Sequence, residues 1–431
     1  MCKTAISAYL EEYLSPFLCG YGKGFSAQHA LLAMLEKWRI SLDKGGYGGG
    51  VLMDLSKAFD TLNHELLIAK LYAYGFDKKA VLLIKSYLTD RWQRTKINTS
   101  YSSWYELLIG VPQGSVLGPL FFNLFINDLF FVVKTNICNY TDDNTLYTSD
   151  MNLDIMMNKL ECAAKNAIEW FSFNGMNLNA KKCHLIVCGH KFENMICTVD
   201  NSQVIESPVV KLLGIQIDSE LKFDRYIETI CKKASQKLNA LSRLCAIIPF
   251  YRRKMLMQAF FNSQFSYCPL VWMCHSRHIN NKINNLHFRA LRMVYADELS
   301  TFEELLKKDD SVTIHHRNLQ FLVIEMFKVI KGISPLFMEH IFTKNVNVYP
   351  GDVSASTRSK SYFYNNVNPK KVNYGLETLR SLGPKVWNMI PNELKDETIS
   401  LSVFKNKIKK WTPSSCPCRL CKDFIPYLGF I

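Results

Sequence analysis

Two adjacent carboxylates near the middle of the chain are the residues best suited to chemistry. Asp142 and Asp143 lie between apolar, β-prone residues, which are Ile137, Cys138 and Tyr140 before them and Thr145, Leu146 and Tyr147 after them. Such flanks predict two short strands, and Asp-Asp-Asn favours a turn, so we expect both carboxylates at the tip of a hairpin. Like charges this close repel unless a cation neutralises them, and Mg²⁺ and Mn²⁺ prefer carboxylate oxygens. The alternative interpretation is a polar turn that binds no ligand.

A third carboxylate ends another apolar run. Residues 51–53 are Val-Leu-Met, and Asp54 follows them directly. A carboxylate at the end of a buried strand is unfavourable unless a metal ion or hydrogen bonds compensate for its desolvation. If Asp54 lies beside Asp142 and Asp143, the three side chains can hold two metal ions, as in-line phosphoryl transfer requires.

A glycine-containing motif lies between these two acidic motifs. Residues 110–120 read GVPQGSVLGPL, after LMDLSKAFD at 52–60 and before YTDD at 140–143. In this order the three motifs resemble those of a reverse transcriptase from non-LTR retrotransposons, the LINE-type and jockey-like group. The resemblance runs from about residue 14 to about residue 230 and continues more weakly to the C-terminus. It implies an α+β fold: a right-hand palm of antiparallel strands and helices, partial fingers, a helical thumb and a C-terminal extension.

The resemblance implies a metal centre. Asp54, Asp142 and Asp143 are expected to be catalytic and to hold two Mg²⁺ (or Mn²⁺) ions. Leu55 is expected to contribute only its backbone carbonyl to a metal ion.

The resemblance also implies a general acid. In the family, a lysine in the motif that matches residues 174–187 can donate a proton to the departing pyrophosphate. The spacing from Asn179 favours Lys182 over Lys181 for this catalytic role. A solvated lysine pair is the alternative interpretation.

Other residues are implied to bind the nucleotide. Phe59 is expected under the sugar, where its ring excludes a 2′-hydroxyl; an ordinary core aromatic is the alternative. Gln113 and Gly114 are expected to contact the incoming nucleotide, although Gln113 also suits a turn. The family motif Gly-Phe-Arg-Lys-Gly offers an arginine to the triphosphate, whereas this chain has Gly22 there and only Lys23 beside it. Either Gly22 weakens nucleotide binding, or the turn requires a positive φ that arginine would strain.

Composition favours a nucleic-acid partner and excludes a membrane. The 431 residues include 52 Lys and Arg against 38 Asp and Glu, a formal charge of +14, which suits a polyanion. The longest apolar run, residues 119–133, is polar at several positions and too short to span a bilayer. The 14 cysteines are irregularly spaced and no signal peptide is evident, which indicates a reducing compartment, nuclear or cytoplasmic, and no secretion. Cys416, Cys418 and Cys421 either bind zinc or remain reduced.

The motifs predict four regions. Residues 1–50 are expected to be partial fingers, 51–220 the palm with finger elements, and 221–300 the helical thumb. Residues 301–431 form the C-terminal extension, with a polar loop at 345–375. The upstream fingers motif and the endonuclease domain of many relatives are not seen, so the chain resembles a truncated product of such an element.

Local patterns predict further elements. The glycine-rich residues 45–50 are expected to be a flexible connector, and residues 120–131 a buried helix. Strands are expected near residues 94–97 and 104–109, and residues 227–244 carry an apolar helical stripe with lysines on other faces.

The sequence therefore predicts an RNA-directed DNA polymerase. Its substrates would be dNTPs, an RNA template and a DNA primer or target DNA; the sequence does not define an oligomeric state. The first alternative is a catalytically weak or inactive nucleic-acid-binding remnant with incomplete fingers. The second is an RNA-synthesising polymerase, against which Phe59 argues.

Overall fold

Two compact units make up the chain. The computed structural model describes residues 2–22, 24–189, 191, 193–245, 247–342, 370–376 and 378–412. The first unit comprises residues 1–30 and 46–208, and the second comprises residues 31–45 and 209–431. The four-region division predicted from the motifs stays a prediction.

Several predicted features lie outside the described residues. They are Lys23, residues 345–369 of the polar loop, and the tail with Cys416, Cys418 and Cys421. The end of the predicted loop is described and is not irregular, because Val372–Leu376 forms a short π-helix.

The first unit combines helices with a central sheet. Its helices are α1 (Cys2–Leu10), the start of α2 (Ala27–Asp43), α3 (His64–Ala73), α4 (Lys78–Leu88), α5 (Gly118–Ile126), α6 (Leu129–Val132) and α7 (Leu153–Phe173), with a 3₁₀ turn at Ala180–Lys182. Its strands are β1 (Tyr47–Met53), β2 (Trp92–Gln93), β3 (Lys96–Ile97), β4 (Ser100–Tyr101), β5 (Tyr105–Glu106), β6 (Asn136–Tyr140), β7 (Asp143–Asp150), β8 (His184–Cys188), β9 (Ile196–Val199) and β10 (Ser202–Ile205).

The central sheet is antiparallel, with strand order β6-β7-β1-β8. Alternate residues of these strands point to one face, where Val51, Met53 and Leu146 join the helices α5 and α7 in one apolar core. The mixed fold confirms the α+β class predicted from the sequence. Burial of these apolar side chains is the main favourable contribution to folding of this unit.

Polar side chains set the helix boundaries as the sequence suggests. The Asn63 side chain accepts a hydrogen bond from the Leu66 backbone (3.0 Å) at the start of α3. Gly75, with φ of 82°, follows the end of that helix. Asp77 then caps α4 by accepting from the Ala80 backbone at 2.7 Å.

Three local predictions need correction. Residues 47–50 are not a flexible connector but the first half of β1. The predicted helix 120–131 is broken between α5 and α6, and Phe131 is exposed. In place of two strands at 94–97 and 104–109, four two-residue strands form two short hairpin ladders.

The second unit is mostly helical and begins, after the rest of α2, with a hairpin. Strands β11 (Val209–Leu212) and β12 (Ile215–Asp218) pair antiparallel. The helices that follow are α8 (Asp224–Ser242), α9 (Phe250–Phe260), α10 (Pro269–Trp272), α11 (Arg277–Tyr295), α12 (Phe302–Asp309), α13 (Ile314–Ile330), α14 (Met338–Ile341), α15 (Leu379–Met389) and α16 (Leu401–Ile408), with 3₁₀ turns at Asn262–Phe265 and Asn392–Leu394.

The helix predicted from the stripe at 227–244 is present as α8. Ile227, Ile230 and Leu238 are buried, as the spacing predicts. Leu244 lies beyond the end of the helix and is half-exposed, so the stripe ends earlier than expected. Across the described segments, every helix is too short or too polar to cross a bilayer.

Close packing explains a glycine inside β1. A Cβ on Gly49 would lie 2.9 Å from Met156 Cε and from Leu160 Cδ1, both on α7. We expect Gly49→Val to lower the free energy of unfolding by about 1–3 kcal/mol, because the added carbons overpack the strand–helix contact. Gly49→Ala should cost less, and urea denaturation measures both.

A double mutant checks this cause. Met156→Val removes the far end of the contacting side chain, so Gly49→Ala with Met156→Val should cost less than the sum of the two single changes. Strict additivity would mean that the contact with α7 does not explain Gly49.

Candidate active site

The paired carboxylates lie at a hairpin turn. Tyr140 at the end of β6 faces Asp143 at the start of β7, so Thr141 and Asp142 form a two-residue loop. Thr141 has φ of 60°, a conformation that costs energy for a β-branched residue. Its hydroxyl donates to Asp142 Oδ1 at 2.8 Å, which holds that carboxylate at the turn. The predicted hairpin tip is present.

Two buried asparagines brace the turn from below. The Asn139 side-chain amide donates to the Thr141 carbonyl and to Asn144 Oδ1, both at 2.9 Å. The Asn144 amide in turn donates to the Asp142 carbonyl at 3.0 Å. Both asparagines are almost fully buried, and their amides tie the strand ends to the turn, while Asn139 Oδ1 has no hydrogen-bond partner among the described residues. Sequence reasoning missed them; polar residues inside apolar strands were the available signal.

A glycine lets a second segment back the turn. A Cβ on Gly20 would lie 2.6 Å from the Thr141 backbone nitrogen, so only glycine fits there. The Asn123 side chain donates to the Gly20 carbonyl at 2.6 Å, and the Cys19 amide donates to the Asn139 carbonyl at 3.3 Å. The turn is therefore fixed by three separate parts of the first unit.

Sheet register brings Asp54 to the same place. Met53, the last residue of β1, is opposite Asn144 in the β1–β7 pair, so Asp54, which follows the strand, is level with Asp143. The Asp54 carbonyl accepts a hydrogen bond from the Asn179 amide at 2.9 Å, and the Ser56 amide donates to the Asn177 carbonyl at 2.8 Å. These bonds fix the backbone on both sides of Leu55.

The same hydrogen bonds position Lys182. Its Nζ lies 3.4 Å from Asp54 Oδ2, across a largely exposed ion pair. An exposed pair of this kind contributes little stability, so the side chain is free to exchange partners. The structure brings Lys182 beside Asp54, and the choice of Lys182 over Lys181 as the catalytic lysine stays a prediction.

Electrostatics link the three carboxylates. Desolvation by the surrounding protein, then the negative charges of Asp142 and Asp54, raise the pKa of Asp143 above its ordinary value. Desolvation and the charge of Asp142 likewise raise the pKa of Tyr21, which sequence reasoning did not consider. This mutual repulsion is relieved by a cation, and the donor set is the one that Mg²⁺ and Mn²⁺ prefer.

The three carboxylates lie near one another but do not form a metal-binding cluster. Within the described ranges, no three histidine, cysteine, aspartate or glutamate side chains already form a metal-binding cluster. Asp54 is instead paired with Lys182, and Asp142 accepts from Thr141. The residues fit a divalent ion by their chemistry, and metal binding would compete with the Lys182 contact.

Phe59 and Gln113 lie in one local structure. The Phe59 ring stacks on Phe122 of α5, with centroids 4.4 Å apart and planes at 23°. Its carbonyl accepts from the Val111 amide at 2.9 Å, and the exposed Gln113 amide donates to Asp60 Oδ1 at 2.8 Å. Phe122 and Asp60 are the supporting residues that sequence reasoning did not identify.

The two glycines of interest differ in their role. Gly114 has φ of 77°, and a Cβ there would meet no atom within 4 Å, so backbone conformation explains this glycine. Gly22 does not have a positive φ, which makes the strained-turn explanation wrong. A Cβ on Gly22 would instead lie 2.7 Å from Cδ2 of Phe25, whose ring occupies the space.

Comparison with known proteins agrees with these motifs. The jockey mobile-element RNA-directed DNA polymerase of Drosophila melanogaster is 26% identical over 236 residues, covering 52% of this chain and 26% of that protein. A probable RNA-directed DNA polymerase from the BS transposon of the same species is 26% identical over 238 residues, with the same coverage. The chain thus spans about a quarter of the length of these relatives.

Solved telomerases are also similar. The apo telomerase of Candida tropicalis matches 79% of this chain and 56% of its own, with a TM-score of 0.41 and 12% identity.

The family assignment comes from the sequence profile. The reverse transcriptase (RNA-dependent DNA polymerase) family matches residues 1–217, half of the chain and every motif described above. Members of this family generally use divalent metal ions. The chain belongs to the reverse transcriptase family, with jockey and other non-LTR retrotransposon polymerases among its relatives.

Proposed function

We propose that this chain catalyses RNA-templated DNA synthesis, adding deoxynucleotides from dNTPs to a primer 3′-hydroxyl. The observation that carries the proposal is the position of Asp54, Asp142 and Asp143 at neighbouring strand ends. Desolvation, followed by the charges of Asp142 and Asp54, raises the pKa of Asp143, and a bound cation would offset both effects on the ionised carboxylate.

Asp54, Asp142 and Asp143 would hold two Mg²⁺ or Mn²⁺ ions, with the Leu55 carbonyl as a further ligand. When bound, such ions supply the positive charge that activates a hydroxyl nucleophile and neutralises a developing pyrophosphate. The rigid backbone around Leu55 and the braced hairpin turn keep the carboxylates at a fixed separation.

The nucleotide would lie against Phe59 and Gln113. Because Phe122 stacks against the Phe59 ring, that ring cannot retreat easily into the core, so it is suited to exclude a 2′-hydroxyl. Gln113, oriented by Asp60, would contact the incoming nucleotide, and Gly114 allows the backbone to approach it.

Lys182 would move a proton. Its ammonium is near Asp54 and largely exposed, so it is accessible to a triphosphate leaving group. Transfer of a proton from Nζ to an oxygen of pyrophosphate would neutralise charge as the bond to the α-phosphate breaks.

The nucleic-acid partners would be an RNA template and a DNA primer or target DNA, in the nucleus or cytoplasm. The proposed thumb offers Lys232 and Lys233, exposed on α8 opposite its buried stripe. Such a basic face suits the phosphate backbone of a duplex. Proposed fingers, palm and thumb then correspond to residues 1–50, 51–220 and 221–300.

Removing one carboxylate charge tests the metal centre. We expect Asp142→Asn to reduce Mg²⁺-dependent extension of oligo(dT) on poly(rA) by roughly 10²-fold or more, because the amide keeps the shape but not the charge. Mg²⁺ should raise the melting temperature of the parent more than that of the variant.

Glu169→Gln provides the matched control, since it makes the same chemical change at an exposed position of α7. Parent-like extension by a well-folded Asp142→Asn protein would show that this carboxylate does not serve the reaction.

Phe59→Ala tests the sugar contact. The ratio of kcat/KM for dTTP to that for UTP should fall by about tenfold or more, because only ring bulk is proposed to exclude the 2′-hydroxyl. Phe122→Leu, which removes the ring behind Phe59, should lower the ratio by a smaller factor. An unchanged ratio in both variants would contradict the placement of Phe59 under the sugar.

Gly22 stands where the family motif has arginine, and the Phe25 ring occupies the space that an arginine side chain would enter. Gly22→Arg with Phe25→Ala should lower KM for dTTP by roughly ten- to a hundredfold, because a charge-assisted contact contributes about 1.5–3 kcal/mol. Gly22→Arg alone should destabilise the protein, since its Cβ meets the Phe25 ring. The control is Phe25→Ala alone, and an equal KM in that control and the double variant would refute a triphosphate contact at position 22.

A further inference from the structure

A short β arm projects from the first unit with little protein around it. Strands β2 to β5 pair as two small ladders, β2 with β5 and β3 with β4, between residues 91 and 109. Nearly every side chain on this arm is exposed, including Trp92 (57%), Tyr101 (50%), Trp104 (55%) and Tyr105 (64%). Exposed aromatic side chains in such a cluster usually mark an interaction surface.

Cations are interleaved with these rings. The Arg94 guanidinium lies 4.0 Å from the Tyr101 ring centroid and 4.6 Å from the Trp104 centroid. Lys96 is opposite Tyr101 in the β3–β4 register, and its Nζ is 5.3 Å from the same ring. We call Arg94, Lys96, Tyr101 and Trp104 the aromatic–cationic face.

This face does not serve the core. Backbone hydrogen bonds hold the arm: the Leu107 amide donates to the Arg91 carbonyl at 2.7 Å at its base, and the Ser102 amide donates to the Thr95 carbonyl at 2.9 Å between the two ladders. None of the four side chains of the face is buried. Their rings and charges are therefore available to a ligand.

The arm is joined along the chain to the residues proposed to bind the nucleotide. Ile109 bridges to Asn63, and the Gly110 amide donates to the Leu62 carbonyl at 2.7 Å. The next residue, Val111, bonds to the Phe59 carbonyl, and two residues further is Gln113. Only a short stretch of chain therefore separates the arm from the residues proposed to hold the nucleotide.

We propose that the aromatic–cationic face binds a single strand of nucleic acid, with bases stacked on Tyr101 and Trp104 and phosphates at Arg94 and Lys96. Stacking rings among cations are the features by which single strands are bound without sequence preference. Residues 91–109 contain three cations, Arg91, Arg94 and Lys96, against one anion, Glu106, which complements a phosphate backbone. Tyrosine, tryptophan and arginine are enriched in protein interfaces as well, whereas lysine is depleted there, so Lys96 favours nucleic acid as the occupant. Identification of the bound strand as unpaired template rests on the proposed function; the binding itself does not.

Binding to the full chain tests the face directly. Fluorescence anisotropy with labelled U12 and dT12 is measured in EDTA, so that no catalysis is needed. We expect Tyr101→Ala with Trp104→Ala to weaken binding of the oligonucleotide by about tenfold or more, as loss of base stacking does. Arg94→Ala with Lys96→Ala should also reduce the slope of log K against log salt by about 1.4, for two phosphate contacts.

Controls come from α7 of the same unit. Phe173→Ala and Lys165→Ala remove an exposed ring and an exposed cation outside the arm, and both should bind like the parent. Equal affinity of the parent and both arm double variants for U12 and dT12, with all melts alike, would overturn the proposal. A preference for U12 over dT12 would indicate that RNA, rather than DNA, is the source of the strand.

Two further outcomes are distinguishable. If the parent self-associates in sedimentation, and Tyr101→Ala with Trp104→Ala makes it monomeric without loss of oligonucleotide affinity, the face contacts protein and the proposal is wrong. If the parent does not extend a primer but the arm variants still lose binding, the proposed polymerase activity fails while the arm proposal stands. If the parent extends a primer but the arm variants bind the oligonucleotide as the parent does, the arm proposal fails while the proposed polymerase activity stands.

Discussion

Repulsion among Asp54, Asp142 and Asp143 is the constraint on which the rest of the first unit depends. Desolvation raises the pKa of Asp143 most, and the charges of Asp142 and Asp54 raise it further. Without opposing forces this repulsion would separate the three carboxylates. Backbone pairing opposes this repulsion. Because β7 pairs with both β6 and β1, one strand fixes the turn that carries Asp142 and the end of the strand that precedes Asp54. The acidic cluster is thus held by the sheet rather than by side-chain contacts among its members.

The buried polar groups behind the carboxylates also help to hold the turn in place. Asn139 and Asn144 satisfy the carbonyls of the turn, while Asn123 reaches the carbonyl of Gly20. In a low-dielectric interior these hydrogen bonds are strong, and an unsatisfied group there is costly. These bonds oppose a change in the strained Thr141 turn, because such a change would separate the Asn139 and Asn144 amides from the carbonyls that accept from them.

The sequence allowed the site to be predicted better than its surroundings. Ordered motifs placed Asp54, Asp142 and Asp143 together, and apolar residues at helical spacing predicted α8. The glycine run at 45–50 was misjudged because glycine signals flexibility locally, whereas Gly49 is required by close contact with α7. Gly22 and Asn139 have nearby partners in the sequence, Phe25 and Asn144, but only the folded turns show that these side chains touch. The contact of Gly49 with α7 depends on tertiary structure and has no local pattern.

The β arm has a consequence for how this chain and its relatives can diverge. The chain leaves the body of the unit at Arg91 and returns at Leu107, where one backbone hydrogen bond closes the base. Because the cost of closing a loop rises only slowly with its length, residues inside that base can be lengthened, shortened or exchanged cheaply. Such changes leave the backbone bonds of Phe59 and Leu62 in place. The surface that we propose for nucleic-acid binding can thus vary independently of the candidate active site, within one continuous segment of polypeptide.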